Sequence, residues 1–214
     1  MELTRREFLI VSAGAIACSG QPDAPADATP AIDGTAGGID AAGSCTPTQS
    51  DLLGPFFEPG APMRMMIAEP TEPGEHLALT ARMFGADCTT PLAGATVEVW
   101  QCDRDGNYHD GATTNYRLRG RVVTDASGTF TIDTIKPGNY LNGPGYRPAH
   151  IHFTFSHPDH RTLTTQIYFA GDPYLAPVDS CTTCGSDDAE RIVALAGDAV
   201  AGWTGDLRIH LAAA

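Results

Sequence analysis

Lysine is almost missing from this chain. Lys136 is its one example, and 13 Lys+Arg stand against 26 Asp+Glu for a formal net charge of −13. No arginine cluster makes up the deficit, so the positive field that a phosphate backbone requires is absent, which speaks against nucleic acid as a partner. Long apolar runs are missing too. The run Phe8–Ala17 is about ten residues, roughly 15 Å as a helix against a bilayer core of about 30 Å, too short to serve as a transmembrane anchor. No internal repeat is present, and 214 residues hold one domain of ordinary size plus some extra sequence rather than two enzyme domains.

What the chain does have is 42% hydrophobic residues, enough for a real core, together with 23 Gly and 16 Pro. That proportion of turn formers predicts many turns, few long helices and an all-β domain.

Three segments follow from composition. Residues 1–17 carry Arg5-Arg6 ahead of the short apolar run and resemble a twin-arginine export signal. Ala15-Ile-Ala-Cys18 resembles a lipobox, which leaves two readings open: lipidation of Cys18, giving a membrane tether, or ordinary cleavage after Ala17 or nearby. Residues 18–48 form an Ala/Gly/Asp/Pro linker with no Lys or Arg and too little apolar surface to offset the cost of ordering its backbone. The folded domain is expected over 49–214. The expected location is therefore outside the cytoplasm, in a bacterial periplasm or anchored to its membrane.

Six cysteines suit an oxidising compartment. If Cys18 is lipidated, the other five cannot all pair. Cys88 and Cys102 bracket one predicted strand and its lead-in, so a Cys88–Cys102 disulfide is expected. Cys181-Thr-Thr-Cys184 has the spacing of half a zinc knuckle, but no second pair follows, and a structural disulfide, local or to Cys45, is preferred.

Strand signals recur at His76–Phe84, Ala95–Gln101, Arg119–Asp125, Thr129–Ile135, His150–Ser156, Thr164–Phe169 and Asp206–Leu211, each bounded by turn residues. Their rhythm predicts a two-sheet β-sandwich. One short C-terminal helix is expected over Asp187–Gly197, where Ile192, Val193, Leu195 and Ala196 make an apolar stripe after an acidic first turn.

His150-Ile-His-Phe-Thr-Phe155 is the most informative stretch. Side chains alternate along a strand, so His150, His152 and Thr154 share one face while Ile151, Phe153 and Phe155 face the core. Two imidazoles two residues apart, about 6.5 to 7 Å along the strand, can converge on one metal. On spacing alone a solvated surface pair is the commoner outcome. Arg147, Tyr140 and Tyr146 lie just upstream, and Tyr108 follows the strand that contains Trp100.

These segments resemble the intradiol ring-cleavage dioxygenases, the non-haem ferric enzymes of the protocatechuate and catechol dioxygenase type. Leu53-Gly-Pro-Phe-Phe-Glu-Pro-Gly-Ala-Pro-Met-Arg64 is similar to the family's opening segment and Val99-Trp-Gln-Cys-Asp-Arg-Asp-Gly-Asn-Tyr108 to its first tyrosine motif. Arg119–Asp125 with Thr134-Ile-Lys-Pro-Gly-Asn-Tyr140 resembles its central hairpin, and Tyr146-Arg-Pro-Ala-His-Ile-His-Phe153 and Gln166-Ile-Tyr-Phe-Ala-Gly-Asp-Pro173 complete the pattern. The resemblance implies Tyr108, Tyr140, His150 and His152 as ligands of Fe(3+), with Arg147 and Tyr140 catalytic. It implies a substrate pocket that includes Leu53, Gly54, Pro55, Tyr146 and Gln166. The implied reaction inserts both atoms of O2 into a catechol-type ring and opens it between the two hydroxylated carbons to a muconate-type diacid. The Tyr140–Tyr146 loop looks shorter than in the best-known members, and Phe57 and Tyr146 stand where other aromatics are common, so the pocket wall is expected to differ. Residues 18–44 cannot form the N-terminal helical dimerisation segment of catechol-type members.

The donor chemistry agrees with that implication. Phenolates are hard anionic donors suited to a ferric ion, whereas zinc more typically recruits Cys or carboxylate beside histidine. Tyr116, Tyr168 and Tyr174 read as packing aromatics with a hydrogen-bonded hydroxyl, and His157 and His160 as solvated turn residues. The rival reading is a non-enzymatic, tethered β-sandwich binding module, since the same turns occur in transthyretin-like domains, whose topology is also the one expected here. A binding scaffold has no need of Tyr108 or of Arg147-Pro-Ala-His-Ile-His152.

Overall fold

The computed structural model of the chain describes residues 45–214; the export segment, Cys18 and most of the linker lie outside the described residues. Eleven strands are present: β1 His76–Phe84, β2 Thr96–Trp100, β3 Arg119–Val123, β4 Thr129–Ile135, β5 Tyr140–Asn142, β6 Gly145–Arg147, β7 His150–His157, β8 His160–Phe169, β9 Ile192–Val193, β10 Ala196–Asp198 and β11 Gly202–His210. One sheet runs β10-β11-β1-β4 and the other β3-β2-β7-β8-β9, with β5–β6 a separate hairpin. Between the two sheets lies one core. Leu77, Leu79, Ala81 and Met83 of β1 and Leu207 and Ile209 of β11 meet Val97, Val99, Ile151, Phe153, Phe155 and Ile167 of the second sheet. Each set alternates along its strand, which is why one face of each sheet buries its residues while the other stays free for polar groups.

All seven expected strands form, with ends shifted by a few residues. The expected helix does not. Over 187–197 the chain makes a single 3-10 turn, Ala189–Arg191, capped by the Asp188 side chain, and then two short strands. The apolar run satisfies a period of two as well as a helical one: Val193 is buried in the core and Leu195 packs against it. The β-branched Ile192 and Val193 extend the second sheet, pairing parallel with Tyr168 and Phe169. Burial against a ready sheet edge outweighs one capped turn.

The expected Cys88–Cys102 bridge is also corrected. Cys45 bonds to Cys88, Cys181 to Cys184, and Cys102 is a free, buried thiol. Cys88 precedes β2 and Cys102 follows its end, so the extended strand holds them apart at opposite ends of the sandwich. The Cys45 link and the buried Thr48, whose backbone N–H donates to the His210 carbonyl, tie the chain to the sandwich ahead of residue 49.

Candidate active site

The site forms where β2 ends and β7 begins. Trp100 is opposite His152 in the β2–β7 pairing, and its buried indole stacks on that imidazole with centroids 5.0 Å apart. After Trp100 the chain turns through a tight loop, in which Asp103 Oδ1 accepts from the backbone N–H groups of Asp105 and Asn107 at 2.9 Å each. This loop lies directly on the segment before Tyr140. A Cβ on Gly138 would sit 2.2 Å from the Arg104 carbonyl oxygen, and one on Gly106, where φ is +82°, would meet the Asn139 oxygen and Tyr140 Cβ at 2.7 Å. Only glycine permits that approach, and it brings Tyr108 and Tyr140 to the same place, ring centroids 5.8 Å apart.

Four donors converge there. Tyr108 Oη lies 3.2 Å from His152 Nε2 and 3.4 Å from His150 Nε2, and the Tyr140 ring is 5.5 Å from that of His150. Two atoms each about 2.0 to 2.1 Å from one ion sit roughly 3 to 3.4 Å apart, so these separations suit shared ligation. His150 Nδ1 is 2.7 Å from the Pro148 carbonyl, to which it donates, leaving Nε2 as the lone-pair nitrogen. Buried His152 Nδ1 has no well-formed hydrogen bond.

Electrostatics favours neutral imidazoles. Burial, with Arg147 adding to it, pulls His150 down to about 3, and burial and His150 hold His152 well below the usual histidine range. Burial raises the phenol of Tyr108 well above its ordinary value and that of Tyr140 above its own, while Arg147 favours the Tyr140 phenolate. Neutral imidazoles are ready ligands; the phenols would surrender their protons to a multivalent cation, whose charge reverses the effect of burial. The donor set therefore fits a hard, highly charged metal ion such as Fe(3+).

A cavity of about 740 Å³ opens on these groups, lined among others by Leu52, Gly54, Pro55, Phe56, Tyr108, Tyr140, Tyr146, Arg147, His152, Gln166 and Cys181. Leu53, expected here, does not line it; its neighbour Leu52 does, and both are exposed. Phe57 packs edge-on against Trp100, and Phe56 supplies the aromatic wall, stacked on Tyr108 at 4.0 Å. Tyr146 lines the cavity with its ring against Tyr174. Arg147 and Gln166 are both buried, and Arg147 Nη2 donates to Gln166 Oε1 at 2.9 Å.

Several contacts of this architecture join residues remote in the sequence. Asp172 Oδ2 accepts from Asn139 Nδ2 at 2.8 Å and from the Ala149 N–H at 2.9 Å, pinning the Tyr140 segment to the start of β7. Tyr168 is, as expected, a packing aromatic with a hydrogen-bonded hydroxyl: it is fully buried and donates to Asp51 Oδ2 at 2.8 Å, while Arg191 Nη1 lies 2.6 Å from the same oxygen. Arg147 Nη2 reaches that hydroxyl at 3.3 Å. Burial and Asp51 push the Tyr168 phenol up, so it stays a proton donor.

A family model described as Dioxygenase matches residues 52–201. The chain belongs to the intradiol ring-cleavage dioxygenase family. It is 38% identical over 147 residues to catechol 1,2-dioxygenase 2 of Acinetobacter lwoffii, covering 60% of this chain and 53% of that one. To the chlorocatechol 1,2-dioxygenase of Rhodococcus opacus it is 34% identical over 165 residues, covering 65% and 63%. The chain thus spans between half and two thirds of the length of these curated relatives. Among solved structures, the dioxygenase domain of a dioxygenase and carbohydrate-binding fusion from Streptomyces sp. SirexAA-E superposes with a TM-score of 0.66 at 34% identity, covering 79% of this chain and all of that one. Catechol 1,2-dioxygenase from Pseudomonas arvilla C-1 gives 0.69 at 31% identity, covering 81% and 64%.

Proposed function

We propose that this chain is an Fe(3+) intradiol dioxygenase that opens a catechol-type ring between its two hydroxylated carbons with O2, giving a muconate-type diacid. The observation that carries the reading is the meeting of two buried imidazoles and two half-buried phenols at a cavity with a guanidinium on its edge. His150 and His152 would hold the metal through Nε2, and Tyr108 and Tyr140 through their phenolate oxygens. When bound, the ferric ion supplies a positive centre to which a catecholate binds and through which its electron density reaches O2.

The chain's own groups do the rest. Tyr140, on the half-buried side of the site, is the phenolate that yields to substrate and accepts one of its hydroxyl protons at Oη; burial keeps that proton in place. Tyr108, more deeply enclosed, remains throughout. Arg147 faces the ring and stabilises the negative charge that grows on it during attack, a preorganised electrostatic role. Gln166 holds the guanidinium in place. Phe56, Pro55 and Tyr146 present flat apolar walls to an aromatic ring.

Metal content of the purified full-length protein, followed by oxygen uptake with a panel of catechols, tests the reading. About one iron per chain, a reddish colour from phenolate-to-iron charge transfer and one O2 consumed per ring opened support it. A colourless protein with stoichiometric zinc after expression in ample iron overturns the iron assignment, and binding of catechols without oxygen uptake returns the chain to the binding-module alternative.

The N-terminal sequence supports the further proposal that the enzyme is exported in folded, metal-loaded form. It would then be released or held at the membrane through Cys18. A twin-arginine route suits a protein whose metal should be chosen before it meets competing ions.

A further inference from the structure

Arg147 is held from a direction that its own motif does not reveal. Its Nη2 serves Gln166 and Tyr168, while Nε lies 2.9 Å from Asp179 Oδ1 without the alignment of a hydrogen bond. Both side chains of this ion pair are almost wholly enclosed, at 6% and 2% exposure. The same Asp179 oxygen accepts the Cys181 N–H at 2.8 Å, and its other oxygen, buried, accepts no hydrogen bond. A buried, incompletely satisfied carboxylate is a poor device for stability. Its effect here is directional. With Nε set against the Asp179 carboxylate as an ion pair and Nη2 bonded to Gln166 and Tyr168, the remaining side of the guanidinium is the one left for the cavity and the Tyr140 phenol.

The segment that carries Asp179 is built onto the same hairpin as Arg147. Ser180 donates its N–H to the Tyr146 carbonyl at 3.0 Å, and Asn142 Nδ2 reaches Ser180 Oγ at 3.2 Å. The Cys181–Cys184 disulfide follows at once, and Cys181 lines the cavity. This short loop is therefore fastened at both ends of the turn and presents one carboxylate inward.

We propose that Asp179 is the positioning residue of Arg147: its charge fixes the plane of the guanidinium so that the free edge faces the bound substrate ring. The proposal rests on the dioxygenase reading above, in which Arg147 acts after substrate binds. Removing Asp179's charge should then lower turnover and leave substrate affinity in place, whereas a loosened cavity wall would raise KM.

Asp179→Asn keeps the shape and the acceptor for the Cys181 N–H. In the iron-loaded full-length enzyme it should lower kcat by about tenfold or more with KM within about twofold, and in an Arg147→Ala background it should add less than about twofold. The second readout needs no activity. The Arg147 Nε–H resonance, identified by its loss in Arg147→Ala, should exchange slowly with solvent in the wild-type protein and faster in Asp179→Asn. An unchanged kcat, or a full independent loss on top of Arg147→Ala, overturns the proposal. So does an Nε–H that already exchanges at the solvent rate in the wild type, a measurement that stands even if the variant fails to fold. If the wild-type enzyme consumes no O2 with any catechol, the dioxygenase reading falls, and the Nε–H exchange still decides whether Asp179 holds Arg147.

Discussion

Tyr140 and Arg147 are register partners across the β5–β6 hairpin, so the phenol that would yield to substrate and the cation that would stabilise the reacting ring sit on one rigid two-strand unit. Tyr146, one residue away on β6, pairs instead with Leu141 and stacks on Tyr174. The two tyrosines of this hairpin should therefore separate cleanly. Tyr140→Phe should shift the resting charge-transfer band and slow anaerobic catechol binding, because an internal base has gone. Tyr146→Phe should leave the resting band in place. Bleaching by Tyr146→Phe alone would assign the ligand to Tyr146.

Tyr108→Phe should alter both the resting spectrum and that of the substrate complex, since in the proposed mechanism Tyr108 would stay on the metal in either state. An anaerobic titration of both tyrosine variants with one catechol, followed by mixing with O2, checks the division of roles.

Arg147→Ala should retain iron and colour while slowing ring attack. Loss of a preorganised charge of this kind typically costs a few kcal/mol of barrier, roughly a hundredfold or more in rate. Stopped-flow mixing of the preformed substrate complex with O2 isolates that step; an unchanged rate would remove Arg147 from it.

Asp172 joins two segments by two buried-facing hydrogen bonds, to Asn139 and to the Ala149 N–H. Asp172→Ala should destabilise the domain by about 1 to 3 kcal/mol. It should also weaken iron retention, because Tyr140 and His150 lose their common anchor. Denaturant melts and iron content after dialysis against a chelator measure the two effects.

The Cys45–Cys88 bond closes a loop with a sequence separation of 43. Loop closure of that length is worth about 4 kcal/mol in the chain-entropy model. Cys88→Ser should lower the melting point accordingly yet leave iron loading intact, since Cys88 lies before β2 and the site beyond its other end. Cys102→Ser should leave the disulfide count unchanged. Thiol counting by mass spectrometry under non-reducing conditions distinguishes this pairing from one that uses Cys102.

Replacing Arg5 and Arg6 together with lysine should keep the active enzyme inside the cell. Cell fractionation reads the result, and unchanged export of the double variant would remove the twin-arginine proposal. Mass spectrometry of Cys18 in the exported protein separates lipidation from cleavage.

The sequence by itself determined the seven principal strands and the shared face of His150 and His152, because strand alternation is local: a period of two and a flanking turn are written in six or eight consecutive residues. It also held the residue types that meet at the candidate site, since Tyr108 and Tyr140 close recognisable strand and turn motifs. The tertiary structure decided what depends on distant segments meeting. An apolar run at 192–196 with two compatible periods became strand because a β8 edge was there to receive it. Cys88 found Cys45 rather than Cys102 because β2 keeps the ends of its own strand apart. Asp51, Asp172 and Asp179 gained their places through burial beside groups remote in the chain, and a lone aspartate in a loop carries no periodicity from which such a partner could be read.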